Sequence, residues 1–191
     1  MRFITPILLT LFIGILVWQS LDIKSYQDWH TIEKIYPVRD KEIFFQDAEV
    51  IQTPQDEKWL LQLIDRAQKE IKVAVYIFTV PSLRDALVRA QKRGVTVRVI
   101  LEKNPYNLGG INKETKKVFQ ENNIVFHESD ERYFSFMHAK YMIFDQKWMI
   151  STANWTRSSF STNREFFIIG KDVSILSDLN AVFETDFLGK K

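Results

Sequence analysis

Apolar residues recur at helical spacing in some segments and form short continuous runs in others, and these two patterns predict helices and strands respectively. From residue 42 onwards the predicted order is strand, helix, strand, helix and strand. The strands are expected within 42–52, 71–78 and 95–101, and the helices within 53–70 and 81–93. This order is typical of a mixed, mainly parallel α/β sheet that is flanked by helices.

Local signals predict where both helices begin and where the second one ends. Thr53 is the expected N-cap of the first helix and Pro54 its first residue, since Pro has no N–H to leave unpaired there. Pro81 opens the second helix in the same way, and Gly94 ends it. The loop that follows the third strand, at 102–111, lies at a sheet edge where α/β proteins commonly bind ligands.

The second half of the chain predicts further elements of both kinds. A helix is expected at 112–122, a short strand at 125–126 and a longer strand at 166–169. Apolar residues recur at helical spacing from 173 to 187, which predicts a closing helix.

One stretch of this half carries the candidate chemistry. Tyr141–Phe144 and Trp148–Ile150 are short apolar runs around a polar turn at 145–147, which predicts a β-hairpin. Residues two apart on an extended segment share a face, so His138 and Lys140 are expected to point the same way. Neutral imidazole can attack a phosphodiester or move a proton near neutral pH, and an ammonium can hold a phosphate oxygen.

Polar residues beyond the hairpin add to this pair. Asn154 can donate a hydrogen bond to a phosphate oxygen, and Ser151 or Thr152 can do so through a hydroxyl or the backbone. Glu165 opens the strand at 166–169 and can accept from one imidazole nitrogen, which leaves the other nitrogen free to attack.

The motif residues occur in this order along the chain: His138-x-Lys140-x4-Asp145, then Ser151-Thr152-x-Asn154, then Asn163-x-Glu165. This order resembles the HKD signature of the phospholipase D superfamily. More narrowly, the chain is similar to the single-motif branch that includes the bacterial Nuc-type endonucleases and the mitochondrial cardiolipin hydrolases.

The resemblance implies the α/β half-domain of that superfamily and a role for each motif residue. His138 would be the nucleophile that forms a phosphohistidine, and Lys140 and Asn154 would bind the phosphate. Glu165 would orient His138, and Asp145 would be mainly structural.

The chain departs from the family pattern at one place. The family usually has Gly-Ser where this chain has Ser151-Thr152. Thr152 keeps a hydroxyl that can bind the phosphate, but Ser151 adds a side chain where glycine permits a close approach of the backbone.

An in-line displacement also requires a second group that protonates the leaving oxygen. The chain has one such motif, and His30 and His127 lie in unrelated contexts. We therefore expect a homodimer in which two His138 side chains share one active site, as the resemblance also implies. No metal or other cofactor is expected, because His127 has no other closely spaced His and the chain has no Cys.

The first 41 residues predict a membrane attachment. Residues 3–21 form an apolar run after Arg2, without an Ala-x-Ala cleavage site, which predicts a signal-anchor over 1–23. A stalk at 24–41 and a catalytic domain at 42–191 would follow. The charge before the run places the domain outside the cytoplasmic membrane, on the periplasmic or cell-surface side, or in the medium if the signal is cleaved.

Composition narrows the function only slightly. Hydrophobic residues make up 46% of the chain, which indicates a packed globule, and the absence of Cys excludes disulfides and thiolate sites. The net charge of +2 is too small to indicate nucleic-acid binding by itself.

The function expected from the sequence is a metal-independent phosphodiesterase, with nucleic acid as the preferred substrate. An endonuclease is favoured by the resemblance, by aromatic residues near the motif such as Phe136, and by five basic residues: Lys113, Lys116, Lys117, Arg157 and Arg164. A phospholipase D acting on membrane phospholipids is the alternative, favoured by the anchor and the low charge. A membrane-tethered binding module with a decayed site is the third.

Overall fold

The computed structural model describes residues 48–107, 110–130 and 135–189. The predicted membrane helix at 1–23 and the stalk at 24–41 lie outside these residues. Within the part of the chain that the structure describes, no helix is long and apolar enough to cross a membrane.

The described residues form seven β-strands and five α-helices. The strands are β1 (Glu49–Gln52), β2 (Glu70–Val75), β3 (Thr96–Leu101), β4 (Val125–Glu128), β5 (Lys140–Phe144), β6 (Lys147–Ser151) and β7 (Phe166–Gly170). The helices are α1 (Lys58–Arg66), α2 (Pro81–Lys92), α3 (Lys113–Glu121), α4 (Arg157–Ser161) and α5 (Val173–Leu188).

All seven strands belong to one mixed sheet, in the order β1-β7-β6-β5-β2-β3-β4. β2, β3 and β4 run parallel to one another, and every other neighbouring pair in this sheet is antiparallel. The prediction of a mainly parallel sheet is therefore wrong. Helices separate β2, β3 and β4 and allow parallel crossovers, whereas the tight turn between β5 and β6 permits only an antiparallel pair.

The strand β1 differs most from its predicted place. The sequence predicts it as the first strand of a mainly parallel sheet, but it pairs antiparallel with β7 at the edge of the sheet, with Val50 opposite Ile168. The helix after it begins at Lys58, and its N-cap is Glu57 instead of the predicted Thr53.

Thr53 does not cap a helix and instead binds the backbone near Glu165. The residue is fully buried, and its hydroxyl donates to the Asn163 carbonyl and accepts from the Glu165 amide, both at 2.9 Å. The Thr53 amide also donates to the Glu165 carbonyl at 3.0 Å. Thr53 thus fixes the backbone of a predicted catalytic residue, which is why the chain does not begin a helix at this point.

The other helices and strands predicted within the described residues agree closely with the structure. The hairpin of β5 and β6, the strand β7 and the closing helix α5 are confirmed, and α2 ends before Gly94, whose φ is +89°. Two differences remain. The strand predicted at 125–126 extends to Glu128 and so includes His127, and α4 is a short helix that the hydrophobic pattern did not indicate.

Helices cover both faces of the sheet. α1, α2 and α3 bury Leu60, Ile64, Leu83, Leu87 and Phe119 against one face. α5 covers the other face with Ile175, Leu176, Phe183 and Phe187. The sheet is therefore the central layer of three.

A cluster of charges joins α5 to the sheet. Arg98 on β3 makes two hydrogen bonds with Glu184 on α5, at 2.6 and 2.7 Å, and the buried Lys72 ammonium lies 3.1 Å from the same carboxylate. Lys72 also contacts Glu70 at 3.2 Å and donates to Asn180 at 2.5 Å. A buried ammonium requires such partners, because an unpaired charge in the interior is strongly destabilising.

The topology brings the ends of several strands together on one side of the sheet. β2 and β3 end there, β5 begins there with Lys140 opposite Val75, and β6 ends beside the start of β7. Lys140 and Ser151 lie at these strand ends, His138 lies just before β5, and Glu165 lies just before β7.

The cluster predicts a pH-dependent stability. Arg98, with a contribution from Lys72, lowers the pKa of Glu184 from 4.5 to about 2. A carboxylate with a lowered pKa in the folded state stabilises the fold above about pH 4.5 and loses this effect as the pH falls towards 2. Glu184→Gln should therefore lower the free energy of unfolding at pH 7 and flatten its pH dependence in that window.

The expected loss is about 1–2 kcal/mol, below the ~3–5 kcal/mol of a fully buried pair, because the Glu184 side chain is 39% exposed. Urea unfolding at several pH values measures it. Glu121→Gln, at the exposed end of α3, is the matched control and should change little. Equal losses for both variants would contradict the role of the cluster.

Candidate active site

The side chains of His138 and Lys140 both contact the ring of Tyr76, a buried residue just after β2. The His138 ring meets it edge to face with the centroids 4.7 Å apart, and the Lys140 ammonium lies 5.5 Å from its centroid. The Lys140 ammonium also donates to the His138 carbonyl at 2.6 Å. The structure thus places the predicted pair together against one aromatic ring, although His138 precedes β5 and does not belong to it.

This arrangement shifts the pKa values of both groups. Partial burial lowers the pKa of the His138 imidazole, and the neighbouring Lys140 charge lowers it further. Burial lowers the pKa of Lys140 as well, while the negative charge of Glu165 acts in the opposite direction. The imidazole therefore stays neutral to lower pH than a free histidine, which is the form required of a nucleophile or base.

Glu165 lies immediately before β7 and is held by two side chains. Thr152 donates its hydroxyl to one carboxylate oxygen at 2.6 Å, and the Asn163 amide donates to the other at 3.2 Å. Among the residues that the structure describes, neither nitrogen of the His138 ring has a hydrogen-bond partner. The orienting role of Glu165 and the phosphate contact of Thr152 accordingly remain predictions.

Ser151 is the last residue of β6, and Asn154 lies three residues after it. Asn154 is half-buried, and within the described part of the chain its buried Oδ1 has no partner. The adjacent Trp155 donates its amide to Ile77, and its carbonyl accepts from two amides after β2. Ser151, which replaces the usual glycine, donates weakly to the Lys140 carbonyl at 3.4 Å and to the Ala153 carbonyl at 3.3 Å.

Sequence reasoning missed the residues that support the His138 segment. The buried carboxylate of Glu102 accepts from the Met137 amide at 2.7 Å, the Ser129 hydroxyl at 2.8 Å and the Asn104 amide at 3.0 Å. Met137 is the residue directly before His138, so Glu102 fixes the backbone that carries the imidazole.

Asn112 links the backbone of Glu102 to the backbone of Tyr76, whose ring lies beneath the site. Its buried amide donates to the carbonyls of Tyr76 at 3.0 Å and Glu102 at 3.1 Å, and its oxygen accepts from the Phe78 amide at 2.9 Å. Their position in the sequence could have identified two of these residues. Tyr76 and Glu102 each directly follow a strand, and ligands commonly bind where the strands of an α/β sheet end.

Two other residues from the sequence analysis have separate partners. Asp145 occupies the turn after β5 at the opposite end of that strand, and its carboxylate accepts from the backbone amides of Gln68, Lys69 and Glu70. His127 stacks on Phe187 with the centroids 4.2 Å apart. No group of three or more His, Cys, Asp or Glu among the described residues could hold a metal ion.

Comparison with known proteins identifies similar domains. Residues 60–187 match the family described as cardiolipin synthase, PLD-like domain. No curated protein matches the chain significantly.

Among solved structures, the chain is similar to a phospholipase D family member, Nuc from Salmonella typhimurium, with 23% identity and a TM-score of 0.68 over 76% of this chain and 96% of that chain. NucT from Helicobacter pylori is 18% identical with a TM-score of 0.62, and 77% of this chain and 98% of that chain are covered. Phosphatidylserine synthase from Haemophilus influenzae is 9% identical, with a TM-score of 0.53 over 70% and 37% of the two chains. At these identities the likeness shows the fold.

The lowered pKa of His138 gives a direct prediction. An NMR titration of the imidazole should give a pKa below 6.5, and Lys140→Met should move it upwards by removing the second of its two causes. The chain has three histidines, so His138→Ala assigns the signal. A pKa at or above 6.5 in the unchanged protein would overturn the electrostatic description of the site.

The Glu102 contacts give a second prediction. Glu102→Ala should lower kcat on a phosphodiester substrate by about 10- to 100-fold, because a small displacement of the catalytic group is enough for such a loss. Glu102→Gln keeps one acceptor oxygen for Met137 and Ser129 and should lose less. KM should change little in both variants. A rise in KM with kcat unchanged would show that Glu102 does not act through His138.

Proposed function

Because the chain belongs to the phospholipase D superfamily, with a PLD-like domain over residues 60–187, we propose that it is a metal-independent phosphodiesterase whose nucleophile is His138. The observation that carries the proposal is the contact of His138 and Lys140 with one buried ring. A neutral imidazole and an ammonium side by side provide an attacking lone pair and a positive charge for the phosphate oxygens.

In the first step, one ring nitrogen of His138 attacks the phosphorus atom. A P–N bond forms, the P–O bond to the leaving group breaks, and the leaving oxygen takes a proton from an acid. Lys140 and Asn154 bind the phosphate oxygens, where negative charge increases as the leaving group departs. Glu165 lies close enough for its charge to act on Lys140, so it helps to keep that side chain an ammonium.

In the second step, water attacks the phosphohistidine, the P–N bond breaks and a phosphomonoester leaves. A base takes the proton from the water. The described residues place one histidine, His138, against Tyr76, and the other described histidine, His127, is stacked on Phe187. We assign the acid and base to the partner subunit's His138 in a two-fold dimer.

Nucleic acid is the substrate that we favour. The chain resembles the Nuc-type endonucleases in its motif. Two exposed aromatic residues, Tyr106 and Phe136, also pack against Tyr76 beside His138.

Three of the five basic residues expected to bind nucleic acid lie on α3. Lys113 and Lys117 are exposed, whereas Lys116 forms an ion pair with Glu128 at 2.8 Å. A phosphate backbone would therefore meet only part of the predicted basic surface.

A phospholipid is the second candidate substrate. The matching family is described as cardiolipin synthase, and the sequence predicts an N-terminal anchor that would hold the domain at a membrane surface outside the cytoplasm. An anchor raises the local concentration of a lipid substrate, but it does not supply a binding site for the acyl chains.

The test uses the full chain in excess chelator with single-stranded DNA, RNA and phospholipid vesicles in parallel. Nucleic-acid cleavage should proceed, and His138→Ala should abolish it, because the proposed P–N bond forms at this imidazole. His127→Asn is the matched control, since the His127 ring is stacked on Phe187 of α5 and not on Tyr76. Cleavage that the chelator stops, or that persists in His138→Ala, would refute the mechanism.

The same assay distinguishes the alternatives. Release of a lipid headgroup alone would identify a phospholipase, and a complete lack of turnover would favour the binding module. For the shared site, His138→Ala mixed with equal unchanged chain under subunit exchange should lower the rate to about half, because mixed dimers lack one histidine. An unchanged rate after exchange would exclude the dimeric site.

A further inference from the structure

Two exposed aromatic side chains flank the proposed nucleophile. Tyr106 is 59% exposed and Phe136 is 47% exposed, and both pack edge to face against the buried Tyr76 ring, with centroid distances of 5.4 and 6.5 Å. Tyr76 also contacts His138 at 4.7 Å, so the Tyr106 and His138 centroids are at most about 10 Å apart. Exposed rings at this distance can contact the parts of a substrate that adjoin the reacting phosphate.

The backbone at Tyr106 is held in an unusual conformation. Its φ is +54° and its ψ 21°, a left-handed region that residues other than Gly rarely adopt, and its amide donates to the Tyr76 hydroxyl at 2.7 Å. Strained residues of this kind persist only where the surrounding structure fixes them, and they are concentrated at functional sites. The phenol that contacts His138 therefore also sets the position of Tyr106.

The chemistry of these rings favours one kind of ligand. Every nucleic-acid base has a flat π-face that stacks on an aromatic side chain without regard to sequence. The bases of a duplex are already stacked and paired, so only unpaired bases can use such a site. An acyl chain would instead need a continuous apolar surface, whereas here His138 and the Lys140 ammonium lie on the same buried ring as Tyr106 and Phe136.

We propose that Tyr106 and Phe136 form a stacking subsite that selects unpaired bases on either side of the phosphodiester that His138 attacks. The proposal rests on the proposed nuclease function and adds its specificity: single-stranded nucleic acid of any sequence, in preference to duplex. Phe136 lies two residues before His138 and Tyr106 lies in the loop after β3, so the two rings approach the site from different elements.

The experiment compares two short single strands that differ at one place. Each contains thymidine nucleotides joined by uncleavable methylphosphonates, with one phosphodiester at the centre. In one strand the nucleosides on both sides of this phosphodiester carry bases, and in the other they are abasic. The ratio of the two kcat/KM values, taken within each variant, cancels any loss of activity that affects both substrates.

The full chain should favour the strand with bases by about tenfold or more, which corresponds to about 1.4 kcal/mol and lies within the range known for stacking of one base. Tyr106→Leu and Phe136→Leu should each bring the ratio towards one, whereas Tyr106→Phe and Phe136→Tyr keep a ring and should retain it. Tyr106→Asn is a second variant without the ring, because Asn tolerates a left-handed backbone.

The outcomes separate this proposal from the function on which it rests. Cleavage of both strands at equal rates by the unchanged chain would overturn the subsite and leave the nuclease intact. A preference for bases that survives both Leu variants would also overturn it. Failure to cleave either strand, together with hydrolysis of phospholipid vesicles that depends on His138, would overturn the nuclease and the subsite together.

Discussion

The ammonium of Lys140 lies at the end of β2 with only 6% of the residue exposed. A charge in such a place needs partners, because its hydration is lost. Its partners are the His138 carbonyl, the Tyr76 ring and the negative charge of Glu165. Each of these groups belongs to the proposed active site, so stabilising one buried charge also assembles the site.

The backbone around this charge is fixed by hydrogen bonds from three buried side chains. Asn112 joins the ends of β2 and β3, Glu102 holds the amide of Met137, and Thr53 holds the backbone of Glu165 from the edge strand β1. These contacts come from distant parts of the chain, and together they determine where the imidazole and the carboxylate lie. The ion cluster of Arg98, Lys72 and Glu184 acts instead between the sheet and α5.

Much of this arrangement could be predicted from the sequence, because it depends on short-range patterns. The hairpin that follows His138 and Lys140 was evident from two apolar runs around a polar turn. The relative direction of the strands could not be predicted in the same way. The strand β1 pairs with β7 across more than a hundred residues, and no local pattern indicates that contact. Thr53 was misassigned for the same reason: its hydroxyl binds residues near Glu165 and not the next turn of a helix.

The supporting residues of the site were harder to foresee than the motif. No motif marks Tyr76, Glu102 or Asn112. Their supporting role arises only because the fold brings the strand ends together. The position of Tyr106 likewise depends on the hydroxyl of Tyr76, which accepts a hydrogen bond from the Tyr106 amide. The fold is that of the phospholipase D superfamily, and these contacts are the particular means by which this chain places its groups.

The most direct test of the central claim is to detect the covalent intermediate itself. A single-turnover reaction with a phosphodiester that the chain cleaves, quenched in base, should give a phosphoryl adduct on the peptide that contains His138 by tandem mass spectrometry. The adduct should be absent from His138→Ala and present in His127→Asn. Turnover without any adduct, or an adduct on another residue, would contradict the proposal that His138 is the nucleophile.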